Sequence, residues 1–330
     1  MIDGIFSRAS LDIDARRAAA DIEEWIRKTV LDRFRRRGAV VGLSGGIDSS
    51  VTAALCVRAL GAKHVFGLLM PEDESSDDSS RLASILAESL GLETAVEHIG
   101  KVLDAIGCYE RRDRAIRRVI PEYGAGWKSK IVLPGIAEGA YYPLYSVVAQ
   151  SPLGAVRRAR LSPEAYCEVV AATNFKQRIR KTLEYYHADR LWYAVAGTPN
   201  RLEYAQGFFV KNGDGSADFK PIAHLYKTQV YALGQYLGVP EEILRRPPTT
   251  DTYSLEQSQE EFYFNLPYEQ MDLCMYARNN CIPAKQAGSL LSMTNDQVSR
   301  AYTMIDAKLR STRYLHMHGQ VMEPIPEIIA

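Results

Sequence analysis

A chain of 330 residues can bury a large core as one elaborated domain or as two. Hydrophobic residues make up 46% and charged residues 24%, which excludes a disordered chain. The 40 basic residues balance 40 acidic ones, so no global field draws the protein onto nucleic acid or an anionic membrane, and any polyanion must be met locally.

The five cysteines, at 56, 108, 167, 274 and 281, form no C-x-x-C pair. They are too scattered for a zinc site or a disulfide framework, which favours a reducing compartment. The first residues carry Asp3, Arg8, Asp12 and Asp14 without an apolar run, and no later stretch has the length of a membrane span. The expectation is a cytoplasmic, unprocessed protein with no membrane association.

In chain order, residues 14–37 place Ala18, Ile22, Trp25, Ile26, Val30 and Phe34 at the helical period, predicting a helix packed on a sheet. The apolar run Ala39–Leu43 predicts a buried parallel strand, and a second helical pattern starts at Asp48. A strand at residues 64–69, a helix at 77–90 and a strand at 93–98 follow. This alternation predicts an α/β fold with a doubly wound parallel sheet and flanking helices.

Residues 107–163 break the rhythm with Arg111, Arg112, Arg114, Arg117 and Arg118, an aromatic passage (Tyr123, Trp127, Tyr141, Tyr142, Tyr145), then Arg157, Arg158 and Arg160. This stretch reads as an insertion, either a lid or a solvated arginine face with a surface loop, and for each arginine taken singly the solvated face is favoured. Regular patterning resumes at Glu164 and continues through a helix, the strand-like LWYAVAG and the helix YKTQVYALGQYLGV. The expected organisation is a catalytic domain over residues 1–280, interrupted at about 107–163, and a helical C-terminal extension over 281–330.

The turn between the first strand and its helix carries the chemistry. In VVGLSGGIDSS, Ser44, Gly45 and Gly46 let a ligand approach the backbone, while the helix start at Asp48 and Ser49 directs unpaired N–H groups at the same space. That is a phosphate cradle, but the lysine of GxxxxGK[ST] is absent and the spacing is not GxGxxG. SGGxDS resembles the PP-loop of ATP pyrophosphatases, which cleave ATP between its α and β phosphates. The acidic stretch from Glu72 to Ser80, with Asp77 and Asp78, reads more plainly as a loop and helix N-terminus.

Further segments extend the resemblance: NFKQRIR (Asn174–Arg180), GTPNRLE (Gly197–Glu203), KNGDG (Lys211–Gly215), PIAHLYKTQV (Pro221–Val230), and PPTTD followed by Gln257 and Glu260. In this order they resemble ammonia-dependent NAD synthetase over most of residues 14–270. The resemblance implies an AMP-forming ligase. ATP adenylates the nicotinate carboxylate of deamido-NAD with loss of pyrophosphate, and ammonia then displaces AMP to leave NAD.

It further implies that Ser44, Gly45, Gly46, Asp48, Ser49, Met70, Thr198, Lys227 and Thr249 contact ATP, with Met70 beside the adenine. Asp48 and Glu203 would hold Mg²⁺, and Asp48 and Lys227 would serve catalysis, Lys227 as a point charge on the pyrophosphate. Asn174, Arg178, Arg180, Lys211 and Asp214 would address the dinucleotide at a homodimer interface, and residues 247–261 would form a mobile cover. Before the loop there is room for one helix only, so ammonia would be free or come from a separate glutaminase.

Three features depart from the family: the insertion, Gln259 where Asp usually stands, and YLHMHG at 314–319 in place of a basic cluster. They leave open a related ligase acting on a different carboxylate, which would make AMP only with that acid. A tRNA-modifying PP-loop enzyme is less favoured by the cysteines and charge, and salt-sensitive tRNA binding would revive it. An idle nucleotide-binding protein would show no ATP-to-AMP turnover. His316 and His318 lack an acidic or cysteine partner and read as ordinary tail structure.

Overall fold

The computed structural model describes residues 6–132, 145–249 and 252–326; Tyr141, Tyr142, Thr250 and Asp251 lie outside them. In chain order come α1 (Ala15–Arg27), β1 (Ala39–Gly42), α2 (Ile47–Leu60), β2 (Val65–Leu69), α3 (Asp77–Leu90), β3 (Glu93–Val96) and α4 (Gly100–Ala105). Next are α5 (Cys108–Arg117), the strands β4 (Lys128–Val132), β5 (Ser146–Gln150) and β6 (Val156–Arg160), the long α6 (Pro163–Leu191), and β7 (Ala194–Ala196). The chain continues through α7 (Arg201–Gln206), α8 (Lys227–Tyr236), α9 (Glu241–Arg245), α10 (Tyr268–Asn279), α11 (Ala284–Leu291) and α12 (Asn295–Ser311).

The main sheet is four-stranded and wholly parallel, in the order β3-β2-β1-β7. Both faces of β1 are covered, so its apolar run is unbroken instead of alternating. Ala39 and Val41 join the core beneath α1, α2 and α8, while Val40 joins Phe66, Leu68 and Val195 beneath α6. Each such fully buried Val or Leu contributes roughly 1.5–3 kcal/mol relative to exposure. The first helix is shorter than its sequence pattern: α1 passes at Lys28 into a wider π turn ending at Arg33, and Trp25 is exposed.

The long α6 begins with Ser162 capping the Ala165 N–H and Pro163 at its first position, and ends with Trp192 at φ 61°. Ser and Pro there satisfy and pre-set the first turn. The strands β4, β5 and β6 form a second, antiparallel sheet in that order, whose Ile131, Val147 and Ala149 pack with Ile116, Tyr123 and Val169.

The arginines preceding this sheet divide. Arg114 and Arg118 sit half-exposed on Glu168, where water screens both pairs. Arg112, expected on a solvated face, is instead 4% exposed and bonded to Glu74. The plain loop reading of residues 72–80 also needs correction, because Glu72 and Glu74 supply the negative half of a buried ion cluster. Sequence periodicity alone does not show that cluster, since its partners lie tens of residues away. The helices α10, α11 and α12 share an apolar core with Phe6, Leu11, Leu202 and Tyr226.

Candidate active site

The turn after β1 is built as a backbone cradle. Gly45 has φ +72°, and a Cβ there would stand 2.5 Å from the Ser79 carbonyl oxygen, so glycine is required on both counts. Ser44 Oγ accepts from the Gly46 N–H at 3.3 Å and lies 3.1 Å from Ser49 Oγ, which donates to the Gly46 carbonyl at 3.0 Å. The two serines brace the turn while α2 presents its N-terminus.

Beside the cradle, four segments converge on one charged cluster. Asp48 stands in the first turn of α2, and its Oδ2 accepts from the buried Lys227 ammonium at the start of α8. Its Oδ1 accepts from Asn200 Nδ2 at 3.0 Å. Asn200 also caps α7: its Oδ1 accepts from the Leu202 and Glu203 N–H groups, and Glu203 Oε2 accepts from the Asn200 N–H. Gln259 Nε2 donates to Glu203 Oε1 at 2.9 Å. Asp48 is therefore engaged on both oxygens, with its side chain 15% exposed.

The electrostatics follow from this packing. Burial, then the neighbouring Asp48 charge, pushes Glu203 up to about 8 against the pull of Lys227. Burial opposes the Lys227 charge, but Asp48 and Glu203 together hold the ammonium above its ordinary range. Below it, Asp272 accepts from the Lys227 and Thr228 N–H groups, and burial pushes that carboxyl up to about 6.

A cleft of about 690 Å³ opens over the cluster. Ser44, Gly46, Asp48, Ser49, Thr198, Glu203, Lys227 and Thr249 line its phosphate-loop end. Asn174, Arg178, Lys211 and Asp214 line the other. Gly45, Met70 and Arg180 are not in the lining; Arg180 Nε donates to the Met70 carbonyl at 3.3 Å, so these two meet each other.

Local partners explain several of the predicted residues. Asp214 Oδ1 accepts from the Val210 N–H at 2.8 Å and braces its own turn, with burial raising its pKa. Lys211 Nζ donates to the Tyr314 and Met317 carbonyls and lies 3.9 Å from the Tyr314 ring centre. The YLHMHG tail thus borders the cleft beside Lys211, where Tyr314 and Leu315 join the lining. His316 meets Tyr204 and Phe209 edge-on.

Among the described residues, no three His, Cys, Asp or Glu side chains gather into a metal cage. Mg²⁺ does not need one: it takes one or two carboxylates and fills its octahedron with water and phosphate oxygens. Asp48 and Glu203 are an oxygen-only pair close enough that one charge disfavours the other, a donor set that a divalent cation would relieve.

The comparison with known proteins decides the family. The NAD synthase family model matches residues 18–117 and 146–310. The chain belongs to the NAD synthase family. The NH(3)-dependent NAD(+) synthetase of Rhizobium meliloti is 57% identical over 324 residues, covering 98% of this chain and 97% of that relative. Two solved structures share the fold: NMN synthetase from Francisella tularensis (TM-score 0.62, 20% identity, covering 94% of this chain and 99% of that one) and NH3-dependent NAD synthetase from Campylobacter jejuni (TM-score 0.61, 22% identity, covering 94% and 100%). At these identities the structural likeness concerns the fold.

Residues beyond those predicted stand at this NAD synthase site. Asn200 was legible in principle, since N-x-x-E before a helix is a capping box, but its bond to Asp48 was not. Arg246 lines the cleft and donates to Ser79 Oγ at 2.8 Å beside the cradle; no local pattern marks it. Gln259, seen in the sequence only as a departure from the family, reaches Glu203. Among the described residues no helix is long and apolar enough to cross a membrane.

Proposed function

We propose that the protein is an ammonia-dependent, AMP-forming ligase that converts deamido-NAD to NAD. The observation that carries this reading is near-full-length membership of the family with a charged cradle opening into the same cleft as Asn174 and Arg178. A carboxylate is a poor electrophile until one of its oxygens belongs to a good leaving group. One nicotinate oxygen attacks the α-phosphorus of ATP, and the α–β bridging bond breaks with release of pyrophosphate. Ammonia then adds to the acyl carbon, AMP departs with the bridging oxygen, and a proton is lost to leave the amide.

In this account the N–H groups of residues 44–49 hold phosphate oxygens, and Lys227 supplies fixed positive charge through its pairing with Asp48. Thr198 and Thr249 contact ATP from the cleft walls, and Met70 approaches the adenine with its backbone. Asp48 and Glu203 would hold Mg²⁺, which would neutralise charge on the leaving pyrophosphate. Asn174, Arg178, Arg180, Lys211 and Asp214 serve the dinucleotide, Lys211 and Asp214 chiefly by fixing their loop and the tail. A homodimer, a cytoplasmic location and a separate ammonia-supplying glutaminase complete the proposal.

Deamido-NAD labelled with heavy oxygen in its carboxylate tests the chemistry. Adenylation predicts one labelled oxygen in the phosphate of AMP for each NAD formed. Unlabelled AMP would exclude an acyl-adenylate and with it this mechanism.

A further inference from the structure

Residues 252–264 form a strap that brings Tyr253, Gln259, Phe262 and Tyr263 to the cleft. Its first half does not lie on the main sheet. It lies along the outer edge of β4: the Leu255 N–H donates to the Ser129 carbonyl at 3.2 Å, the Ser129 N–H to Ser254 Oγ at 2.9 Å, and Lys130 Nζ to the Glu256 carbonyl at 3.2 Å. Gln257 Nε2, from a side chain 4% exposed, donates to the Ile131 carbonyl. A sheet edge offers such unpaired groups at alternate residues, and the strap takes up the N–H and carbonyl of Ser129 and the carbonyl of Ile131.

A second fixing point is independent of that edge. The Lys176 side chain, fully buried on α6 among cleft residues, donates to Glu72 Oε1 at 2.8 Å, Glu74 Oε2 at 2.7 Å and the Thr252 carbonyl at 2.9 Å. An ammonium has three donors, and here the strap supplies the third acceptor. The carboxylates are themselves held: Tyr109 donates to Glu72 at 2.6 Å, and Arg112 donates to both oxygens of Glu74. Both clamps therefore draw on α5, through Tyr109 and Arg112, or on β4.

We propose that Lys176 and the outer edge of β4 act as positioning elements for the reaction: they seat the strap over the cleft, carry Gln259 to Glu203, and keep water from the acyl-adenylate. Lys176 touches neither substrate nor reacting atoms. It acts through Thr252 and the residues that follow. A loosened strap admits water, which attacks the acyl carbon in place of ammonia, regenerating the carboxylate and releasing AMP. Each such event consumes ATP to AMP and pyrophosphate without forming NAD. The inference rests on the adenylation reading, and the test separates the two.

The experiment measures AMP and NAD together in the full-length protein, with limited proteolysis of the strap alongside. Lys176→Met paired with Glu72→Gln removes one buried charge of each sign and leaves Glu74 with Arg112. Ser254→Ala paired with Gln257→Leu loosens the β4 edge without touching Lys176. Unequal amounts of AMP and NAD in the wild type would reject the tight-strap account, and no turnover there would reject the adenylation reading itself. With a wild-type ratio of one, each folded variant is expected to form NAD about tenfold more slowly or worse, with the AMP-to-NAD ratio raised several-fold and cleavage appearing within 252–264. A ratio that stays at one with wild-type proteolysis in any folded variant overturns the proposal, because a merely structural role lowers both products in step. If the Lys176 variant fails to fold, the Ser254 variant decides alone.

Discussion

Asn200 Nδ2 donates to Asp48 Oδ1 at 3.0 Å across 152 residues of sequence, while Asn200 Oδ1 caps the helix that carries Glu203. One side chain thus sets the positions of both proposed metal ligands. Asn200→Ala should cost about 1–2 kcal/mol from the lost cap and lower NAD formation strongly. Asn200→Asp keeps a capping oxygen but buries a third carboxylate against Asp48 in place of a donor, so it should melt below the wild type and lose activity as well. Melting curves and turnover on the same samples check this; full activity in Asn200→Asp would remove the link to Asp48.

Asp48→Asn should abolish turnover, and the buried Lys227 adds a consequence for stability. Breaking a buried pair from one side costs about 3–5 kcal/mol, because the other charge is left uncompensated. An Asn at 48 still offers an acceptor, so the lower end applies. Asp48→Asn paired with Lys227→Met should recover much of that stability and none of the activity. Denaturant unfolding of the single and double variants measures it. A single variant as stable as the wild type would show that the pair is worth little.

Glu203→Gln keeps the size and the capping oxygen but removes one charge from the proposed Mg²⁺ site. The Mg²⁺ concentration for half-maximal rate should rise by at least the roughly 10-fold that even an outer-shell change costs. Direct Mn²⁺ binding, read by paramagnetic resonance, should weaken in parallel. An unchanged Mg²⁺ requirement and Mn²⁺ affinity would take Glu203 out of the metal site.

Lys308 supplies a pH test outside the Asp48 cluster. Its ammonium turns inward to the Tyr263 carbonyl and lies 4.0 Å from the Tyr263 ring centre. Burial pushes it down from 10.5 to about 7. For a base with a depressed folded pKa, the stability contribution is full above the unfolded pKa near 10.5 and is lost as pH falls through about 7. Lys308→Met should therefore gain stability relative to the wild type as pH falls across that window. Parallel stability curves for the two proteins would contradict this.

The parallel sheet, the phosphate turn and the order of the conserved-type motifs were legible because each is written in a short window: an apolar run, a Gly-Gly turn, a helix start. The helix pattern at 77–90 and α3 coincide for that reason. What lay outside such windows was not legible. Arg112 looked solvated because its partner Glu74 is 38 residues away, and the pairing of Asp48 with Lys227 was hidden because 179 residues separate them. Lys176 stood inside a recognised motif, yet its burial depends on a loop and a strap from opposite ends of the chain.

The most direct test of the account incubates the purified protein with ATP, Mg²⁺, ammonium and deamido-NAD and follows NAD and AMP together. The account predicts both products in equal amounts, with neither formed when deamido-NAD is withheld. AMP formed only with a different acid, or no AMP under any of these conditions, would contradict it.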